Sequence, residues 1–247
     1  MNTSLKQKLK SLKLPGVIEI FNDTVKSSIA NELSYESFLL QLMDYECEQR
    51  QNRKIERLLR ESTIPVEKSF DSFDIKRLPL KTRQQIKSLE DGSFLDRREN
   101  ILVFGKPGTG KTHLISAIAL KQIYQGRRML FTTCSLLVQN LLVAKRDFKL
   151  PALLKKLSKY DGIIVDDIGY VKQSRDEMEV LFTLLAERYE RGSILLTSNL
   201  PFSKWDQIFQ DKMTAAAAID RLIHHSIILE INVNSYRTEA AKKRLEQ

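Results

Sequence analysis

Five apolar runs punctuate the second half of the chain: ILVF at 101–104, RMLFTTC at 128–134, GIIV opening GIIVDDIGY at 162–170, SILL opening SILLTSNLP at 193–201, and SIILEINV at 226–233. Each is short and unbroken, the pattern of a strand buried on both faces. Between them the apolar positions change to helical spacing. Leu114, Ile115, Ile118 and Ala119 follow the first run, and Met178, Leu181, Phe182, Leu185 and Tyr189 precede the fourth. Residues 135–160 read as helical pieces interrupted near Pro151, and TAAAAIDRLIHH at 214–225 is a strong helix former. Strands alternating with helices predict an α/β fold with a parallel sheet.

The first 62 residues are different: polar, helical and without strand character. Tyr35, Phe38, Leu39, Leu42 and Met43 recur at spacings of three and four behind a capping Ser34, and Pro15-Gly16 punctuates the chain before them. TIPVEKSFDSFD at 63–74 breaks the pattern, so the sequence divides into a helical domain at 1–62, a linker at 63–74 and an α/β domain at 75–247, with a short helical stretch near 81–90 before the first strand.

The first strand runs into GKPGTGKT, which fits the phosphate-binding pattern G-x-x-x-x-G-K-[ST]. In the loop Gly105, Lys106, Pro107, Gly108, Thr109 and Gly110 the glycines would let successive backbone N–H groups turn onto a triphosphate, with His113 just beyond. Lys111 would reach the β- and γ-phosphates and Thr112 a magnesium ion. The third strand delivers Asp166 and Asp167 to its C-terminal end, where parallel sheets bind ligands. Asp166 would hold Mg²⁺ directly or through water, and Asp167 would orient and deprotonate an attacking water. Asn199, ending the fourth run, can position that water or the γ-phosphate. Local pattern does not decide whether Arg221 or Arg237 meets phosphate. His224-His225 reads as a polar helix end, and Phe202 and Trp205 as packing residues.

Composition narrows the classes. The 247 residues are 42% hydrophobic and 29% charged, with no apolar stretch long enough for a membrane helix and no signal-peptide core, so no membrane association and a cytoplasmic location are expected. Cys47 and Cys134 lack metal-ligand spacing and read as small packing residues. No N-K-x-D guanine-specificity motif occurs. The net charge of +9 favours polyanionic partners, nucleic acid first. Arg50, Arg53, Lys54, Arg57 and Arg60 share one helical arc, and Lys145, Arg146 and Lys149 form a second basic group. Either is a solvated face or a phosphate contact.

Taken together, QRQNRKIERLLRES…P, SFDSFD, GKPGTGKTHL, LFTTCSLLVQNLL, DDIGY, RYERGSILLTSNLPFSKWDQIF and DRLIHHS…NSYR resemble the IstB-type transposition helper ATPases, kin of the DnaC-type helicase loaders in the AAA+ superfamily. The resemblance implies a P-loop core with a five-stranded parallel sheet, a small helical N-terminal domain and little of the usual helical lid. It makes Asn199 the sensor-1 residue, Arg221 an arginine finger and Arg237 a sensor-2-like arginine. It also implies a homo-oligomer with ATP at its subunit interfaces, assembled on double-stranded DNA that it bends, selecting targets for an IstA-type transposase. The chain departs from the family's commoner Asp-Glu at Asp166-Asp167, from its Gly-Glu at Val233-Asn234, and from a small residue or proline at Lys106. A loader acting on single-stranded DNA, and an ATP-stabilised DNA scaffold with negligible turnover, are the alternatives.

Overall fold

The computed structural model describes residues 1–169, 174–201, 204–205, 220, 222–236 and 238–239. By its internal contacts the chain divides into Met1–Arg57 and Leu58–Gln247. The first unit holds α1 (Thr3–Ser11), α2 (Pro15–Ala30) and most of α3 (Tyr35–Ser62). Ser34 caps α3 as its sequence suggests, accepting the Ser37 N–H at 3.1 Å. Leu9, Val17 and Leu42 form the buried centre, against which Phe21 and Phe38 meet edge to face with centroids 5.9 Å apart.

In the second unit α4 (Leu80–Leu89) and α5 (Ser93–Asp96) precede β1 (Asn100–Gly105). There follow α6 (Lys111–Tyr124), β2 (Met129–Thr133), α7 (Cys134–Arg146), α8 (Leu150–Leu157), β3 (Gly162–Ile168), α9 (Arg175–Arg188), β4 (Ser193–Ser198) and β5 (Ser226–Ile231). The five strands lie in the order β2-β3-β4-β1-β5 and all pair in parallel, as the alternating pattern predicts. Side chains alternate across the sheet. Leu102, Ile163, Val165, Ile194 and Leu196 join Leu137, Leu141, Met178 and Leu181 of α7 and α9 on one face, while α6 packs on β1 to β4 through the intervening positions. Trp205 is buried in the first of these layers, its ring 6.0 Å from Phe104 and its indole N–H donated to Leu200 O, in agreement with a packing role.

The helical pieces of 135–160 are interrupted near Pro151 as expected: α7 ends just before Phe148, whose φ is 55°, and Pro151 sits in the first turn of α8. One detail departs from expectation. Cys134 is buried as expected, but Cys47 is exposed, because it follows the inward-facing Glu46 around α3 and so points outward. No helix among the described residues is long and apolar enough to cross a membrane.

Glu46 is the unusual member of the first unit, a carboxylate only 2% exposed. It accepts N–H groups from Gly16 at 2.6 Å and Val17 at 3.3 Å, at the N-terminus of α2, and the Arg50 Nε at 2.8 Å. Arg50 in turn donates to Lys13 O at 2.6 Å. The acid therefore satisfies helix donors that lack internal partners and offsets the positive helix end. Pro15 fits the first helical position because its missing N–H was never needed, and Gly16 leaves room, since a Cβ there would sit 2.9 Å from Glu46 Oε2. Burial alone would raise the Glu46 carboxyl, but Arg50 and the two backbone N–H groups together hold it below the ordinary glutamate value. Its stabilising effect is therefore complete above the unfolded-state value of about 4.3 and is lost as pH falls through the lower folded value. Glu46→Ala should cost about 1–3 kcal/mol of local stability, read as faster hydrogen exchange at the Gly16 and Val17 amides, with the wild-type protection fading below about pH 4.

Candidate functional site

The sheet order reverses at β1, which lies between β4 and β5, and ligands of open α/β sheets bind beyond the strand ends at such a point. Here β1 ends at Gly105, where any Cβ would come within 2.6 Å of Ile231 O on β5. The loop that follows turns through Gly110 at φ +95°, a conformation that strongly favours glycine. Thr109 Oγ1 donates to Lys106 O at 2.9 Å and holds the loop closed on itself. Lys111, at the first position of α6, is nearly buried; its Nζ donates to Lys106 O at 3.0 Å and to Asn199 Oδ1.

Beside it, three strand ends converge. Thr112 Oγ1 donates to Asp166 Oδ1 at 3.0 Å, and Thr197 Oγ1 donates to the same oxygen at 2.6 Å. Thr197 also accepts the Asp167 N–H at 2.8 Å. This is where β3 and β4 slip out of register, between Val165 and Ile168, and where Asp167 adopts a left-handed φ of 59°. At the slip the two consecutive acids differ in exposure: Asp166 is buried against the hydroxyls, while Asp167 is exposed to a cavity of about 490 Å³. Pro107, Gly108, Gly110, Lys111, Thr112 and Asn199 line the same cavity.

Part of the lining was not foreseen. Phe73 and Asp74, from the stretch expected to be a linker, line the cavity together with Tyr236. Phe73 lies against His113 with ring centroids 5.1 Å apart, and His113 Nε2 lies 3.0 Å from Ser69 O. The Tyr236 N–H donates to Gly108 O at 3.0 Å and its hydroxyl to Asp74 O at 3.3 Å, with the Arg77 guanidinium 3.9 Å over its ring. Phe73, Thr197 and Tyr236 each stand within a block that carries the family resemblance, SFDSFD, SILLTSNLP and NSYR, but the resemblance gives none of them a role.

Arg221 and Arg237 lie outside the described residues. Of the basic groups, Arg53, Lys54, Arg57 and Arg60 are exposed, whereas Arg50 is engaged by Glu46 and Lys13. Lys145 pairs with Glu179 at 2.9 Å, Arg146 lies 3.5 Å from Asp147, and Lys149 is exposed. His224 and His225 end a helix as expected, and no cluster of His, Cys, Asp or Glu among the described residues could by itself hold a metal. Thr112 and Asp166 do offer two hard oxygen donors side by side, the kind of incomplete set that Mg²⁺ completes with phosphate and water.

Burial raises the Asp166 carboxyl above the ordinary aspartate value; the Thr197 hydroxyl opposes this, the Asp167 charge adds to it, and Thr112 and Lys68 oppose it. A carboxyl raised on folding contributes stability below its unfolded value of about 3.9, and that contribution is lost as pH rises through the folded value. Once ionised, the Asp166 carboxylate therefore weakens the fold it belongs to. Asp166→Asn keeps the acceptor for both threonines and should raise the melting temperature at pH 7 in the absence of nucleotide and magnesium, a gain that disappears below about pH 4. Calorimetry across that range measures it.

The comparisons agree with this geometry. A family model described as IstB-like ATP binding protein matches residues 7–244. An insertion-sequence ATP-binding protein of Sinorhizobium fredii is 40% identical over 94% of this chain and 78% of its own. The ATP-binding protein of insertion sequence IS5376 from Geobacillus stearothermophilus is 37% identical over 96% of this chain and 93% of its own. Among solved structures, the DnaC helicase loader superposes with a TM-score of 0.55 at 18% identity, covering 67% of this chain and 97% of that one, a likeness of fold. With its P-loop sheet and its match along nearly the whole length, the chain belongs to the IstB-like ATP-binding proteins of the IstB/DnaC-like AAA+ family.

Proposed function

We propose that the protein is an ATPase whose nucleotide state controls its assembly on double-stranded DNA, in the service of an insertion-sequence transposase of the IstA type. The observation that carries the reading is the convergence of Lys111, Thr112, Asp167 and Asn199 on one cavity with Asp166 behind them. Lys111 would hold the β- and γ-phosphate oxygens, Thr112 and Asp166 a magnesium ion. When bound, that ion neutralises charge on the phosphates. Asp167 would accept the proton of a water attacking the γ-phosphorus as the bond to the ADP oxygen breaks, with Lys111 opposing the charge left on ADP. Asn199, already against the Lys111 ammonium, would position the terminal phosphate or that water. Arg221 of a neighbouring protomer would complete the site in trans, and Arg237 would contact the phosphates from its own chain.

Lys111→Ala should abolish binding of a fluorescent ATP analogue. Asp167→Asn should retain binding while phosphate release in the presence of DNA falls by about a hundredfold or more. Undiminished turnover in Asp167→Asn would remove that residue as the base, and no turnover in the unaltered protein would favour a DNA scaffold stabilised by ATP.

For DNA, the exposed Arg53, Lys54, Arg57 and Arg60 together with the net charge of +9 support a phosphate-tracking face. Replacing Arg53 and Arg57 by alanine should weaken duplex binding evenly across sequences and make the slope of log affinity against log salt shallower by about 2. An unchanged slope assigns those side chains to solvent or to a protein partner. Tighter binding of single strands than of duplex in the same filter assay would favour the loader reading, which the shared fold with the DnaC helicase loader keeps in view.

A further inference from the structure

The segment between α3 and α4 is pinned along its length to the α/β core. Thr63 Oγ1 donates to Phe131 O on β2 at 2.6 Å, Ile64 is buried, and Phe73 packs beside Gly110, where a Cβ would meet its ring at 3.2 Å. Between these anchors Ser72 Oγ donates to Glu67 O at 2.6 Å and lies 3.2 Å from His113 Nε2. The Lys68 N–H donates to Pro65 O at 3.1 Å, closing a turn. The backbone on either side of Lys68 is thus fixed against the P-loop helix.

From this turn the Lys68 side chain lines the same cavity as Lys111, Thr112, Asp167 and Asn199. It is half-buried, and its side chain makes no hydrogen bond or ion pair among the described residues. It shares that cavity with Asp167 and Asn199, the two residues read above as serving the terminal phosphate and the attacking water. A lysine loses rotamer freedom when it is half-buried on a fixed turn, and an anion in the cavity supplies the partner that would offset this cost.

We propose that Lys68 is a second phosphate-binding lysine, reaching from the pre-core segment to the terminal phosphate of a bound nucleoside triphosphate and so distinguishing triphosphate from diphosphate. This rests on the nucleotide reading of the cavity given above. Lys111 grips the phosphates from the start of α6; Lys68 reaches them from the segment that joins α3 to the ATPase core. Loss of the γ-phosphate would remove its ligand.

The test compares ATP and ADP affinity, by displacement of a fluorescent nucleotide, for the full chain and for Lys68→Met, Lys68→Arg and Lys111→Ala. Lys68→Met should weaken ATP by about tenfold and ADP by less than about twofold, with melting in the absence of nucleotide unchanged, and Lys68→Arg should restore most of the ATP affinity. Equal weakening of ATP and ADP, or none of either, overturns the assignment of Lys68 if Lys111→Ala still abolishes both. If Lys111→Ala leaves both nucleotides bound, the reading of the cavity falls, and Lys68 with it.

Discussion

The hydroxyl of Thr197 stands at the point where β3 and β4 cease to match. It donates to Asp166 Oδ1 and accepts the Asp167 N–H, bridging the residues of the slipped register. A parallel ladder left unpaired at a buried strand end would orphan that N–H, and an orphaned buried donor costs about 1–3 kcal/mol. With Thr197 in place the slip is stable, and the slip is what keeps both acids at the site. Continued regular pleating would send Asp167 to the opposite face from Asp166. Instead one carboxylate is held against Thr112 in the interior and the next opens on the cavity.

The same slip gives a physical reason for the chain's second acid. Asp167 lies at φ 59°, in the left-handed region that asparagine and aspartate tolerate better than most residues with a side chain. Aspartate there fits the backbone at the cost of one methylene of reach, so the carboxylate that faces the cavity does so from a shorter stem than the Asp-Glu arrangement would supply. Backbone fit and the reach of the carboxylate into the cavity pull in opposite directions at this position. Asp166 shows a related opposition: its burial disfavours its own charge, and the Thr197 and Thr112 hydroxyls recover part of the loss.

The sheet was legible because its strands are buried on both faces and read as unbroken apolar runs, and the P-loop because its glycines are fixed by backbone geometry. Residues acting through side-chain contacts across the fold were not. Thr197 looks like any β-branched strand residue. Glu46 lies within a polar stretch of α3, and only the packing of α2 against α3 turns it into a buried cap. Lys68 and Phe73 stand in a segment whose proline and absent periodicity suggest a connector. Periodicity reports regular elements, and a segment pinned by isolated anchors has none to report.

That segment changes how the site is understood. The P-loop and Asp167 form part of the cavity's lining. The rest comes from both flanks of the core: Phe73 and Asp74 precede it in sequence and Tyr236 follows it. The flanks hold each other as well as the loop, since Tyr236 donates its backbone N–H to Gly108 and its hydroxyl to Asp74, and Arg77 both stacks on Tyr236 and pairs with Glu239 at 2.7 Å. A ligand filling the cavity would thus touch three stretches far apart in the chain. Its binding energy would favour every arrangement in which they stay together, so occupancy of the phosphate site is linked thermodynamically to the order of both flanks.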